Sequence, residues 1–330
     1  MKHLPSPPLV EFQDLSVEFR TEEGVARAVS HVSFGIAEGE TVGVVGESGC
    51  GKSVTALSLM GLLARPAGRV AGGRILYRGR DLLTLKPEAL RALRGNEIAM
   101  IFQEPMSSLN PVLTIGEQIV EPLIEHRKLS PKAAWAEAIA LLDRVGIARP
   151  DKIVEGYPHQ LSGGMLQRAM IAIALSCGPR LLIADEPTTA LDVTIQAQIL
   201  DLLGRLKRDQ GTALMLITHD LGMVAELADR VVVMYAGRVV ETGPVRDILR
   251  QPRHPYTRGL LASRPVPGRR LKRLVSIPGQ VPSPARLPDH CAFAERCFAA
   301  AEVCRTGIPA LEPAAAPHRA ACFLAQSGAI

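Results

Sequence analysis

The string GESGCGKS, from Gly46 to Ser53, has the G-x-x-x-x-G-K-S spacing of a loop that wraps phosphate groups. Gly46, Gly49 and Gly51 permit the tight turn whose backbone N–H groups face the phosphates. Lys52 offers a positive charge to the β- and γ-phosphates, and the Ser53 hydroxyl is a Mg2+ ligand. A second glycine-rich string, LSGGMLQ from Leu161 to Gln167, sets Gly163 and Gly164 behind Ser162 at what reads as a helix start. Unshielded N–H groups and the helix dipole favour an anion there. The chain therefore carries two phosphate-facing elements.

Asp185 ends the apolar run LLIAD and Glu186 follows at once, at the edge where open α/β sheets bind ligands. Asp185 is placed to hold a metal through water, and Glu186 to act as general base on a water in line with the γ-phosphate. Alone, the same pair reads as an acidic helix start. His219 follows the strand ALMLIT at the equivalent edge and reads as a γ-phosphate contact. Gln103 ends IAMIF; its amide suits Mg2+ coordination or water orientation, and in isolation it is a strand-end amide bonded to backbone.

Positioning these groups requires strands and helices in a particular order. Alternation from Val10 to Phe34, with Leu15, Val17 and Phe19 on one face, predicts a hairpin broken at TEEG. Thr41–Val45 is a β-branched run and Ser53–Leu63 has helical spacing, so the glycine loop is a strand-to-helix turn. Strands are expected at Ile75–Tyr77, Ile98–Phe102, Leu181–Ala184 and Ala213–Thr218, with a hairpin around Ala236 and Gly237. Pro111–Gly146 reads as helical, with Ser130 and Pro131 as a helix start. Helices are also expected at Gly164–Ser176 and from about Val193 to Arg208. Beyond His254, seven prolines from Pro255 to Pro288 make long regular elements unexpected. The expected division is 1–250, with a helical subdomain at about 104–165, and a small irregular extension at 251–330.

At 330 residues the chain has room for one large core and a smaller appendage. A composition of 47% hydrophobic and 22% charged residues is that of a folded soluble protein, and 4% aromatics disfavours a nucleic-acid stacking surface. The longest apolar run, AMIAIALSC at Ala169–Cys177, is too short to span a bilayer and reads as a buried helix. The N-terminal MKHLPSPP lacks the apolar segment of a secretion signal, which implies the cytosol. A net charge of +5 is modest; its densest patch, at Arg264, Arg269, Arg270, Lys272 and Arg273, reads as a solvated linker or a contact for phospholipid or an acidic partner.

In this order GESGCGKS, Gln103, LSGGMLQR, LLIADEP and THD resemble the nucleotide-binding subunits of ABC transporters, over roughly residues 8–250. The resemblance implies an α/β P-loop NTPase of the ABC type: a RecA-like mixed-sheet core, an antiparallel β subdomain and a helical subdomain. It implies ATP and Mg2+ as cofactors, with nucleotide contacts at Gly46, Glu47, Ser48, Gly49, Cys50, Gly51, Lys52, Ser53 and Val54, and Phe19 stacked on adenine or facing the core. It also implies a head-to-tail dimer in which Ser162, Gly163 and Gly164 of one subunit close over ATP on the other. Ala190, Leu191 and Asp192 match the D-loop at that interface, and Gln103 joins the catalytic core to the helical insert. FQEPMSSLNP, YPHQLSGG, RHPYTRGLL and IPGQVPSP are similar to the oligopeptide/dipeptide importer branch. That branch implies a paralogous ATPase partner, two transmembrane permeases, an extracytoplasmic solute-binding protein and a site at the cytoplasmic face of the inner membrane, with di- or oligopeptides, nickel or a related solute as cargo. Cys50 departs from the serine common in the branch and invites alkylation or oxidation, or is a tolerated small residue.

A soluble ABC ATPase acting on nucleic acid or ribosomes usually has two ATPase units or a long coiled-coil insert. Here one phosphate loop is present and only residues 104–161 separate Gln103 from Ser162. A GTP switch is disfavoured because no N-K-x-D follows the loop. Cys291, Cys297, Cys304 and Cys322 gather near the C-terminus, where a metal or cluster is favoured over disulfides, and the missing C-x-x-C pair argues against a zinc knuckle. The branch resemblance implies a [4Fe–4S] centre on these four; simple buried thiols are the alternative.

Overall fold

A computed structural model describes residues 8–189, 191–263, 276–313 and 316–330. Ala190 and the basic patch Arg264–Arg273 lie outside the described residues. The chain divides into two compact units, one of Met1–Ile36, Thr41–Leu83 and Ile217–Ile330, the other of Ala37–Glu40 and Thr84–Leu216.

In the first unit the expected hairpin forms Val10–Thr21 and Gly24–Ile36, antiparallel and joined at the TEEG turn. Gly68–Tyr77, longer than expected, pairs with the other side of Val10–Thr21, and Arg80–Asp81 extends this antiparallel sheet. Leu15 and Val17 are fully buried. Thr41–Val45 is buried along its whole length, as a β-branched run covered on both faces should be, and pairs in parallel with Arg230–Tyr235. Arg230–Tyr235 turns back through Ala236 and Gly237, both at positive φ, into the antiparallel strand Arg238–Pro244. Parallel and antiparallel pairings thus share this mixed sheet. The α/β class and the antiparallel subdomain read from the sequence are both present.

The proline-rich tail belongs to the same unit. No long element was expected here, and the longest among the described residues is the short helix Pro255–Ala262. Pro255 occupies its first turn, where a missing N–H costs nothing, and His254 Nδ1 accepts the Tyr256 N–H at 3.1 Å. Further on, Arg319–Ala320 adds a short strand to Arg238–Pro244. Glu241 on that strand is wholly buried, accepts the N–H groups of Arg253 (2.6 Å) and His254 (3.1 Å), and lies 2.7 Å from His318 Nε2. Burial alone would raise its pKa, but these bonds, led by His318, hold it below the usual carboxylate range. Arg253 in turn forks onto Glu312 at 2.6 and 2.7 Å.

In the second unit Ile98–Ile101 and Leu181–Asp185 pair in parallel; Ala213–Thr218, whose last two residues fall in the first unit, runs beside Leu181–Asp185. The stretch expected to be helical through Pro111–Gly146 is two helices. Ile115–Arg127 opens on a reciprocal capping box, with Glu117 N–H on Thr114 Oγ1 at 3.2 Å and Thr114 N–H on Glu117 Oε2 at 2.7 Å. It ends at Lys128, whose left-handed backbone turns the chain before Ser130 caps Pro131–Arg144. Gly163–Leu175 buries Ala169 to Ala172 without a break, as the AMIAIALSC run required. No helix among the described residues is long and apolar enough to cross a membrane.

His254 makes the unit acid-sensitive. Burial, opposed by Glu241 and by a bond to the Ala321 backbone, pushes its pKa down to about 4. The unfolded chain, with a pKa near 6.5, binds a proton that the folded chain refuses, so stability falls as pH drops from about 6.5 to 4, by about 3 kcal/mol at the lower end. His254→Asn keeps a helix-capping acceptor without the titration and is expected to flatten this slope in urea unfolding at pH 7.5, 6 and 5. A slope equal to that of the wild type would place the acid sensitivity elsewhere.

Candidate functional site

The glycine loop leads from Thr41–Val45 into the helix Lys52–Met60, as expected, although the helix stops at Gly61 rather than Leu63. Two glycines are obligatory for different reasons. A Cβ on Gly46 (φ 155°) would lie 2.2 Å from the Met234 carbonyl oxygen, and one on Gly51 (φ 101°) 2.6 Å from that of Ala28. Lys52 is only 5% exposed. Its ammonium donates to the carbonyls of Gly46 at 2.7 Å and Glu47 at 3.0 Å, so the charge sits inside the ring of the loop. Cys50 is wholly buried with Sγ 3.8 Å from Lys52 Nζ; burial pushes the thiol up, and the lysine pulls it back only in part. The buried thiol is therefore held in its neutral, less nucleophilic form. Ser53 is half-buried in the first turn of the helix, followed by Val54.

His219 is exposed just after Ala213–Thr218 and falls in the same compact unit as the loop. It precedes Asp220, whose carboxylate accepts the Gly222 N–H at 2.6 Å to cap the helix Leu221–Leu227. Phe19 is half-buried, opposite Gly68 on the neighbouring strand, and a Cβ there would meet its ring at 2.7 Å. The absence of a side chain at Gly68 is what lets the ring approach that strand so closely.

The second unit holds Gln103, Asp185 and Glu186. Asp185 is 4% exposed at the end of its strand. Glu186 follows in the left-handed region, at φ 46°, a conformation a non-glycine residue adopts only when its surroundings impose it. Its Oε2 accepts the Gln103 Nε2–H at 3.1 Å and the Thr189 hydroxyl at 2.8 Å. Gln103 lies two residues beyond its strand, which ends at Ile101 rather than Phe102.

Ser162 caps Gly163–Leu175, its hydroxyl accepting the Met165 N–H at 3.4 Å, and Asp192 caps Val193–Gln210, accepting the Ile195 N–H at 2.9 Å. Both helix starts line one open groove of about 550 Å3, together with Gly163, Gly164 and Leu191. Gly164 faces the Ile195 side chain so closely that a Cβ would come within 3.3 Å of it.

Cys291, Cys297, Cys304 and Cys322, drawn from three separate turns of the tail, line one cavity of about 10 Å3 with His254 and Phe293. None is in a disulfide. Burial pushes the Cys291 thiol up to about 11 and raises Cys297 as well. Among the described residues no group of three or more His, Cys, Asp or Glu side chains is arranged to hold a metal ion.

Two residues that sequence reasoning missed touch the loop. Tyr256 Oη accepts the Glu47 N–H at 2.8 Å, and Arg296 forks onto the Glu47 carboxylate at 2.6 and 2.9 Å. They stand 209 and 249 residues away in the chain, and nothing in their local pattern points to the loop.

Glycine loop, buried lysine and strand-end carboxylates on an α/β scaffold define a P-loop ATPase. The ABC transporter family matches residues 29–189, and the C-terminal region of oligopeptide/dipeptide transporters matches residues 240–304. A protein of Brucella melitensis named as a peptide import ATP-binding protein is 53% identical over 327 residues, covering 96% of this chain and 97% of its own. The oligopeptide transport ATP-binding protein AppD of Bacillus subtilis is 52% identical over 316 residues, 96% of each chain. Among solved structures, the dimeric ATP-binding cassette MJ0796 in a post-hydrolysis state with ADP and Pi is similar at a TM-score of 0.65 and 29% identity, covering 72% of this chain and 99% of its own. The chain belongs to the ATP-binding subunits of ABC transporters, in the oligopeptide/dipeptide branch, and its reaction is transport-coupled hydrolysis of ATP.

Gly49 and Gly51 separate backbone strain from steric exclusion. Both have positive φ, but a Cβ on Gly49 meets nothing within 4 Å. Gly51→Ala is therefore expected to lower nucleotide-free stability by about 1–3 kcal/mol more than Gly49→Ala. Thermal unfolding of the two variants checks this, and equal losses would contradict the packing described for Gly51.

Proposed function

We propose that this chain hydrolyses ATP to drive the uptake of di- or oligopeptides, working at the cytoplasmic face of a membrane whose permeases it energises. The observation that carries the reading is the buried Lys52 ammonium, held on the Gly46 and Glu47 carbonyls at the start of a helix. Peptide cargo is supported by the names of the relatives and by the C-terminal family match.

In this reading Gly46 to Val54 wrap the triphosphate, and Lys52 leaves its carbonyls for the β- and γ-phosphates. The oxygens of Ser53, Gln103 and Asp185 suit Mg2+, Asp185 through water; Gln103 uses its Nε2 on Glu186 and keeps its amide oxygen, the atom a hard cation takes. Mg2+ supplies charge neutralisation on the phosphates. Glu186 takes the proton of the attacking water, and the Gln103 and Thr189 bonds already aim its carboxylate. His219 contacts the γ-phosphate, and Phe19 offers a half-exposed ring to adenine. Ser162, Gly163, Gly164 and Asp192 close over the nucleotide of a second ATPase subunit. Two helix N-termini on one open groove favour an anion there. The branch supports a paralogous partner, two permeases and an extracytoplasmic solute-binding protein.

Glu186→Gln is expected to keep ATP affinity while turnover falls by about 100-fold or more, leaving an ATP-loaded dimer. Phosphate release together with size-exclusion chromatography reads both, and wild-type turnover would remove Glu186 from the base role.

A [4Fe–4S] centre on Cys291, Cys297, Cys304 and Cys322 is the finer part of the proposal. Four thiols lining one cavity support it, and their chemistry suits iron. A cavity of about 10 Å3 has no room for a cluster as packed, so loading requires the cysteine turns to move apart and the thiols to release their protons. Anaerobically purified protein is expected to be brown, with iron and acid-labile sulfide lost in Cys297→Ser; colourless, iron-free protein ends the idea.

A further inference from the structure

Glu47, the second residue of the phosphate loop, is gripped from outside the loop at both its backbone and its carboxylate. Its N–H donates to Tyr256 Oη at 2.8 Å. Its two carboxylate oxygens accept the Arg296 fork at 2.6 and 2.9 Å. Arg296 is itself only 7% exposed and uses its remaining donors inward, Nε to the Pro278 carbonyl at 2.8 Å and Nη1 to Tyr235 Oη at 3.3 Å. Phe293 packs edge to face with Tyr235 and Tyr256 at centroid distances of 5.2 and 5.4 Å, the two tyrosines are tilted against each other at 4.7 Å, and the Arg296 guanidinium lies 5.7 Å from the Tyr235 ring centre. The guanidinium is thus held from several sides, and the fork it presents sets the orientation of the Glu47 carboxylate.

That orientation matters because the Glu47 carbonyl is one of the two that hold the Lys52 ammonium. The same carbonyl accepts the Cys50 N–H at 3.3 Å, which sets the next turn of the loop. A carboxylate beside a triphosphate site also repels its ligand unless a cation balances it. Arg296 supplies that balance with a bidentate fork from a buried guanidinium onto a partly exposed carboxylate.

We propose that Arg296 is a positioning residue for the phosphate loop: from the tail it neutralises Glu47 and fixes the turn that presents Lys52 and the loop amides to nucleotide. The proposal rests on the reading of Gly46–Ser53 as the nucleotide loop. It gives the proline-rich tail a part in ATP binding, since Arg296 stands next to Cys297 and one turn after Phe293.

The sign of a charge effect differs from that of a folding effect, and the experiment uses this. Arg296→Met leaves Glu47 an unpaired carboxylate and is expected to weaken ATP binding about tenfold, raising KM with kcat within about twofold of wild type. Glu47→Gln with Arg296→Met removes the stray charge and is expected to recover most of the affinity. Arg296→Lys, which keeps the charge without the fork, should fall between. ATP affinity by fluorescent-nucleotide displacement, steady-state kinetics and thermal unfolding are measured on the full-length protein. Wild-type affinity in Arg296→Met, or a double variant no better than that single variant, overturns the proposal. If Arg296→Met does not fold, Arg296→Lys decides: affinity equal to that of the wild type there overturns the proposal. Lys52→Ala separates the two readings. Unchanged affinity there would sink the loop assignment itself, whereas a loss there with none in Arg296→Met would sink only the role of Arg296.

Discussion

A single buried ammonium organises the centre of this protein. Lys52 is almost fully desolvated, which is tolerable only because two carbonyls turn inward to meet it. Those carbonyls point inward because Gly46 and Gly51 adopt backbone angles that a side chain would block, against Met234 and Ala28 respectively. The loop is thus a cage built by the strands on either side of it.

Polar burial also explains how a proline-rich tail is held. Residues beyond 251 contribute few long elements, yet they join a core cluster with Tyr235, Tyr256 and Phe293 and carry charged anchors on both sides of it. Arg296 reaches Glu47 and His318 reaches Glu241, while Arg253 ties Glu312 within the tail itself. Loss of the buried Arg296 would leave Glu47 without its counter-ion, a penalty larger than the net worth of the bond. The tail is fastened by what it would cost to leave.

Much of the scaffold was legible because its strands obey simple rules. Thr41–Val45 and Leu181–Asp185 are short apolar runs whose ends coincide with the residues of chemical interest. Within Pro111–Gly146 the helix start at Ser130 and Pro131 is legible from its cap, whereas the end of the preceding helix is not, because the left-handed turn at Lys128 has no glycine to announce it. The helix at Pro255 was hidden by the proline that begins it. The motif spacing singles out the loop, Glu186 and Ser162, and these fall at a strand-to-helix turn, just after a strand and at a helix cap, because local backbone geometry depends on neighbours in sequence. Arg296 and Tyr256 were invisible for the opposite reason: contacts across 249 and 209 residues leave no periodic trace. The convergence of four cysteines was foreseeable as a cluster, but its tight packing was not.

The two-residue strand Arg319–Ala320 has an effect out of proportion to its length. It occupies the outer side of Arg238–Pro244, whose N–H and C=O groups would otherwise offer a template for another chain. Beneath it, Glu241 is sealed from water. A chain clipped ahead of Arg319 would therefore keep its phosphate loop and still be endangered, through a bared sheet margin prone to self-association.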